Sequence, residues 1–197
     1  MKRVVLAASI PFLISTWSFA QASGSCASPV TVPAQSGVSL SIRSLSSELD
    51  IVGGDQDSIR ISCSLSDGGE PEGIHIRAER TGNQARILIS GARTNNLHIR
   101  IEVPRKTGFR LRIPAGQVKV DGVSGDKDID LHAGEVIVSN VDAVQYHSVH
   151  ASVGIGEVRA AAFGADKGGF FRSFDKVTAG GAFSLRVHIM TGSVQLN

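Results

Sequence analysis

The chain has 197 residues, of which 42% are hydrophobic and 19% charged, enough apolar material to bury a single-domain core and too much for wholesale disorder. Twenty Lys and Arg stand against 18 Asp and Glu, and Lys2 and Arg3 account for the whole excess. Without those two the charge cancels, so the pI of about 8.7 gives no ground for a nucleic acid or an anionic bilayer as partner.

At the N-terminus, Lys2-Arg3 precede an apolar run from Val4 to Trp17, broken by Pro11. Ala20-Gln21-Ala22 then offers small residues where a signal peptidase reads. The run is short for a membrane helix, which needs about 20 residues. Residues 1–22 read as a secretory signal peptide, and residues 23–197 as one exported domain with no stable membrane span after cleavage. Its destination is the periplasm, the cell surface or the medium. Cys26 and Cys63 both lie in the exported part, where an oxidising compartment favours a disulfide between them; two free thiols are the alternative.

From there the dominant period is two. Val38-Leu40-Ile42, Leu49-Ile51, Ile59-Ile61-Cys63, Ile74-Ile76 and Ile87-Ile89 alternate with polar residues. So do Leu97-Ile99-Ile101-Val103, Leu111-Ile113, Val118-Val120, Ile129-Leu131, Val136-Val138, Phe183-Leu185-Val187 and Val194-Leu196. Alternation of this kind marks half-buried strands. Gly53-Gly54-Asp55, Asp67-Gly68-Gly69, Thr81-Gly82-Asn83 and Asp121-Gly122 supply turns between them. The reading is all-β, with residues 157–167 the one stretch that could form a short helix.

A repeat marks the second half. Gly116-Gln-Val118, Gly134-Glu-Val136, Gly156-Glu-Val158 and Gly192-Ser-Val194 share the form Gly-polar-apolar. Glycine followed by an alternating strand suits a solenoid rung that turns a corner and lies on the one before. The expected architecture is a β-solenoid or β-helix-like stack over residues 96–197, with an irregular β portion over residues 27–95. Residues 160–181 depart from the pattern.

The stretch from Ile101-Glu-Val-Pro104 through Leu111-Arg-Ile-Pro-Ala-Gly116-Gln-Val-Lys-Val120 to Gly134-Glu-Val-Ile-Val138 resembles the bacterial exported "putative adhesin" domain family. The likeness runs over about residues 38–196. It implies a solenoid-like fold and a cell-envelope location, and it brings no catalytic residues. The resulting expectation is a non-enzymatic exported protein acting by adhesin-like or scaffold contact, with a surface polysaccharide or another envelope protein as partner.

Charge is segregated along the chain. Residues 45–72 carry seven acids and one base, residues 77–112 nine bases and two acids, and residues 121–142 six acids and one base. The basic band suggests a periplasmic module that grips an anionic glycan or cell-wall polymer, with Arg100, Arg110 and Arg112 as the contact residues, because the planar Arg fork holds carboxylates bidentately. The competing reading is that neighbouring strands pair the bands against each other. A hairpin across Pro104–Gly108 would set Glu102 against Arg110 and Arg100 against Arg112.

Asp126, Asp128 and Asp130 share one strand face but diverge too much to enclose Ca²⁺. His75, His98, His132 and His188 alternate with apolar residues and should point outward, while His147 and His150 are spaced for opposite faces of a strand. No metal, cofactor or catalytic group is expected: nucleophile elbows and phosphate loops are lacking from the sequence. A small polysaccharide-active enzyme is the third reading and would need converging carboxylates. Phe163, Phe170, Phe171 and Phe174 form either a core plug or an exposed binding loop.

Overall fold

The computed structural model describes residues 19–45, 47–69, 71–91 and 96–197, the side chains of Phe19 and residues 167–171 excepted. The protein is all-β. The strands are β1 (Phe19–Ser25), β2 (Val30–Pro33), β3 (Ser39–Arg43), β4 (Ser47–Gly54), β5 (Ser58–Leu65), β6 (Ile74–Thr81) and β7 (Gln84–Gly91). They continue with β8 (Leu97–Pro104), β9 (Gly108–Asp121), β10 (Lys127–Ser139), β11 (Tyr146–Ala160), β12 (Ala165–Val177) and β13 (Phe183–Leu196). No helix among the described residues is long and apolar enough to cross a membrane.

All the strands belong to one large sheet, ordered β1-β6-β7-β3-β9-β10-β13-β11-β12, with β2, β5, β8 and β4 branching from β9 through β4. The path ends at β1 and β12, so the sheet does not close. The branch arises because β9 bends. Its first half, Gly108–Arg112, pairs in parallel with β3, and its second half, Gly116–Asp121, pairs in parallel with β4.

The bend has a signature in the sequence. In β9 the buried residues are Phe109, Leu111 and Ile113, then Val118 and Val120, so the inward-facing parity inverts across Gly116. The same inversion follows Gly134 in β10, Gly156 in β11 and Gly192 in β13. Alternation that changes phase lets both halves of a strand face one interior. Segments that read as pairs of short strands, such as 111–113 and 118–120, are therefore single bent strands.

At the corner the four glycines sit side by side, Gly116 on Gly134, Gly134 on Gly192 and Gly192 on Gly156, in parallel register. All have φ between +132° and +144°, a region that side chains rarely adopt. A methyl group on Gly134 would run into the carbonyl oxygen of Gly116, and one on Gly192 into that of Gly134. Glycine is thus required twice over, by conformation and by backbone contact.

Four features differ from the sequence expectation. β13 lies between β10 and β11, so the bent strands do not follow chain order in the sheet; the repeat gives each strand its shape but not its neighbour. β8 and β9 form no hairpin. The chain crosses over instead, with Arg105 N donating to Gly54 O and Gly108 N to Val38 O, and β8 pairs with β4 and β5. Residues 157–167 finish β11 and begin β12 around a short 3-10 turn at Ala161–Phe163, closed by Gly164 at φ +73°. β1 begins at Phe19 and pairs with β6, so the strand starts inside the segment read as a leader; cleavage after Ala22 would leave Ser23–Ser25 of it.

Cys26 and Cys63 are joined by a disulfide, with Cα atoms 5.2 Å apart and a sequence separation of 37. It ties the start of the domain to β5.

Replacing Gly134 by Ala should lower the unfolding free energy by at least about 3 kcal/mol, from strain plus backbone collision. Gly37→Ala is the control, since Gly37 also has positive φ (+88°) but open space around it, and should cost only about 1–2 kcal/mol. Urea denaturation of the two variants checks this; equal losses would mean the corner is not crowded. The same assay on Cys26→Ser/Cys63→Ser should show a loss of about 3–4 kcal/mol, from restored chain entropy.

Candidate functional site

The bent strands present two outward surfaces, one on each side of the glycine corner. On the first, sheet register aligns Arg86 of β7, Ser41 of β3, Arg110 of β9, Asp128 of β10, Arg186 of β13 and His150 of β11. On the second, Arg100 of β8 neighbours Asp50 of β4, which neighbours Lys119 of β9. Arg100 is thus separated from Arg110 and Arg112 by the corner, and the three arginines named from the sequence do not form one patch.

Their partners are close. Arg110 Nε donates to Asp128 Oδ2 at 2.8 Å. Arg112 donates from Nη2 to Asp128 Oδ2 at 3.1 Å and from Nη1 to Oδ1 at 3.3 Å, and its Nε lies 3.4 Å from Asp130. Arg100 Nε donates to Glu102 at 3.3 Å. Burial pushes the Asp128 carboxyl upward, but hydrogen bonds and charge from Arg112 and Arg110 outweigh it and hold the carboxyl below its ordinary value. The acidic and basic bands of the sequence thus meet across neighbouring strands. Pairs this exposed stabilise by about 0–1 kcal/mol each, so they set register and surface character more than stability.

The second surface carries similar ladders. Glu135 accepts from Gln117 and Gln195, each at 2.7 Å, and from Ser193 at 3.2 Å. Lys119 donates to Glu48 at 2.7 Å, and that hydrogen bond, working against burial, holds the Glu48 carboxyl low. Glu48, Asp50 and His98 bring three potential ligand atoms within 4.8 Å of one another, with His98 Nε2 3.0 Å from Asp50 Oδ2. β4 and β8 are far apart in sequence and pair in parallel, so spacing could not reveal this trio. Lys119 already supplies a positive charge beside it.

A shallow groove of about 990 Å³ crosses the first surface, lined among others by Ser41, Arg86, Lys106, Arg110, Asp128 and Arg186. Lys127 lies in its floor, 2% exposed. Its Nζ donates to Gly125 O at 3.2 Å and to the Tyr146 hydroxyl, and sits 4.8 Å from the centre of the Tyr146 ring. Burial brings the Lys127 ammonium down to about 8, partly offset by Asp126, and pushes the Tyr146 phenol up to about 12. Lys127 shares parity with Ile129 and Leu131, the one signal in the sequence that it faces inward.

The remaining side chains fall into place. Asp126 accepts from Ser184 N at 2.7 Å and Oγ at 2.8 Å. His150 pairs with Asp175, and His188 bonds Ser152 at 2.9 Å. Phe174 is buried and its ring centre lies 5.7 Å from that of Phe163, so these two rings plug the core end. The side chains of Phe170 and Phe171 lie outside the described residues.

No protein-family model matches the chain, and no curated protein is similar to it. Among solved structures it is similar to a crystal structure of a "putative cell adhesion protein" from Clostridium sporogenes ATCC 15579. The TM-score is 0.51 at 14% identity, over 86% of this chain and 98% of that one. At that identity the likeness shows the fold alone.

The Lys127 environment makes stability depend on pH. Between about pH 8 and 10 the folded protein has released this proton while the unfolded chain, titrating near 10.5, still holds it. Stability should therefore rise across that window, by about 2 kcal/mol. Urea denaturation at both pH values should show the rise in the native protein and its loss in Lys127→Met; identical profiles would contradict the buried-ammonium account.

Proposed function

We propose that the chain is an exported, non-enzymatic cell-envelope protein that works by surface contact, as an adhesin or scaffold does, with its rungs stacked in the manner of a solenoid. The observation that carries this reading is the form of the outer surface. Across the parallel strands it is a run of cross-rung polar ladders with a shallow open groove, suited to wide, multivalent contact. The basic leader-like N-terminus and the Cys26–Cys63 disulfide support export to an oxidising compartment. The distant structural neighbour, a "putative cell adhesion protein", is compatible with the same role.

A second reading, a periplasmic module that binds an anionic glycan, is favoured by the alignment of Arg86, Arg110 and Arg186 on one surface. The two readings share a mechanism of contact and differ in location.

The test is retention. The protein, purified as a cell exports it and coupled to beads, is incubated with separated envelope fractions: surface polysaccharide, wall polymer and membrane. Retention of one fraction with no release of reducing sugar ends is the expected result. Release of such ends would make the protein a polysaccharide-active enzyme, and retention of nothing would remove the contact reading.

A further inference from the structure

We infer that the groove on the first surface holds an extended acidic polysaccharide laid across the strands, with its carboxylates on Arg86, Arg110 and Arg186. The inference deepens the surface-contact reading and rests on it.

The spacing is the first argument. Register places Ser41 between Arg86 and Arg110, and Asp128 between Arg110 and Arg186. Each arginine is therefore two strands from the next, about 10 Å at the usual strand separation. A sugar chain bearing a carboxylate on every second residue offers its charges at a comparable interval. The groove runs over seven neighbouring strands, from Glu79 of β6 to His150 of β11, a length of about 29 Å, which suits a polymer and exceeds a small ligand.

The second argument is availability. Arg86 and Arg186 are exposed, and among the described residues neither side chain has a hydrogen bond or an ion pair. Arg110 is 66% exposed and commits only its Nε to Asp128, which leaves both terminal nitrogens for a carboxylate. Arg112 and Arg100 are engaged with acids and lie outside the row.

The acids of the groove do not cancel it. Asp128 is held by Arg110 and Arg112, and Asp126 by Ser184. Glu79 closes the end of the row, facing Arg86 in register without a salt bridge among the described residues. Lys106 adds a cation to one wall. Between the arginines, the Ser41 hydroxyl and the free lone pairs of Asp128 are suited to sugar hydroxyls, which a bare polyanion lacks.

The test measures binding of hyaluronate oligomers, which carry one carboxylate per disaccharide, to the purified protein by calorimetry in low salt. A decasaccharide should bind at least tenfold more tightly than a tetrasaccharide, and binding should vanish with carboxyl-reduced oligomers. Arg86→Ala and Arg186→Ala, which break no hydrogen bond or ion pair among the described residues, should each weaken binding about five- to tenfold, and Arg110→Ala similarly. Arg100→Ala, beyond the corner, should change nothing. Absence of binding, equal loss in Arg100→Ala, or equally tight binding of inorganic polyphosphate would overturn the inference. If the beads of the preceding test retain an envelope fraction while the oligomers fail, the groove inference falls and the contact reading stands. If both fail, both fall.

Discussion

The structure depends on how closely backbones pass one another at the glycine corner. Each of the corner glycines approaches the carbonyl oxygen of its neighbour so closely that no β-carbon fits between them. That approach lets a strand bend without losing its place in the sheet, and it lets the next strand follow the same bend in register. The bend in turn inverts the inward parity, so that the valines and isoleucines on either side of Gly116 and Gly134 enter one core. An alanine at one rung would disturb the geometry that its neighbours share.

Because β7, β3, β9, β10, β13 and β11 pair in parallel and in register, residues at equivalent positions form columns across the outer surface. Charge carried by a band of sequence becomes charge on a column, and acidic β10 lies between arginine-bearing β9 and β13. This arrangement sets opposite charges side by side across neighbouring strands. Arg110 and Arg112 converge on Asp128, while Arg186 on the opposite flank and Arg86 two strands further off keep their guanidinium groups unpaired among the described residues. A surface can thus be balanced in total and still present a periodic row of cations.

Much of this was legible in the sequence. Alternation located the strands from Val38 to Val138 and from Phe183 to Leu196 but not β12 or the first half of β11, and Gly-polar-apolar units located the corners. The Cys26–Cys63 link followed from count and compartment. Three things were not legible, for physical reasons. The order of rungs is set by which exposed strand edges meet after the chain crosses over, and nothing in the repeat of Gly134, Gly156 and Gly192 encodes that β13 inserts between β10 and β11. The arginines named from proximity in sequence were split by the corner, whereas Arg86 and Arg186, 100 positions apart in the numbering, came to one column. Lys127 needed its parity to be weighed above its charge, which ordinarily keeps lysine at the surface.

The most direct test of the corner is a nuclear Overhauser experiment on protein labelled only at glycine. The account predicts that Gly192 gives contacts to both Gly134 and Gly156, with none between those two. A direct contact between Gly134 and Gly156, or no contact from Gly192 to either, would contradict the strand order from which the columns, the groove and the arginine row are all derived.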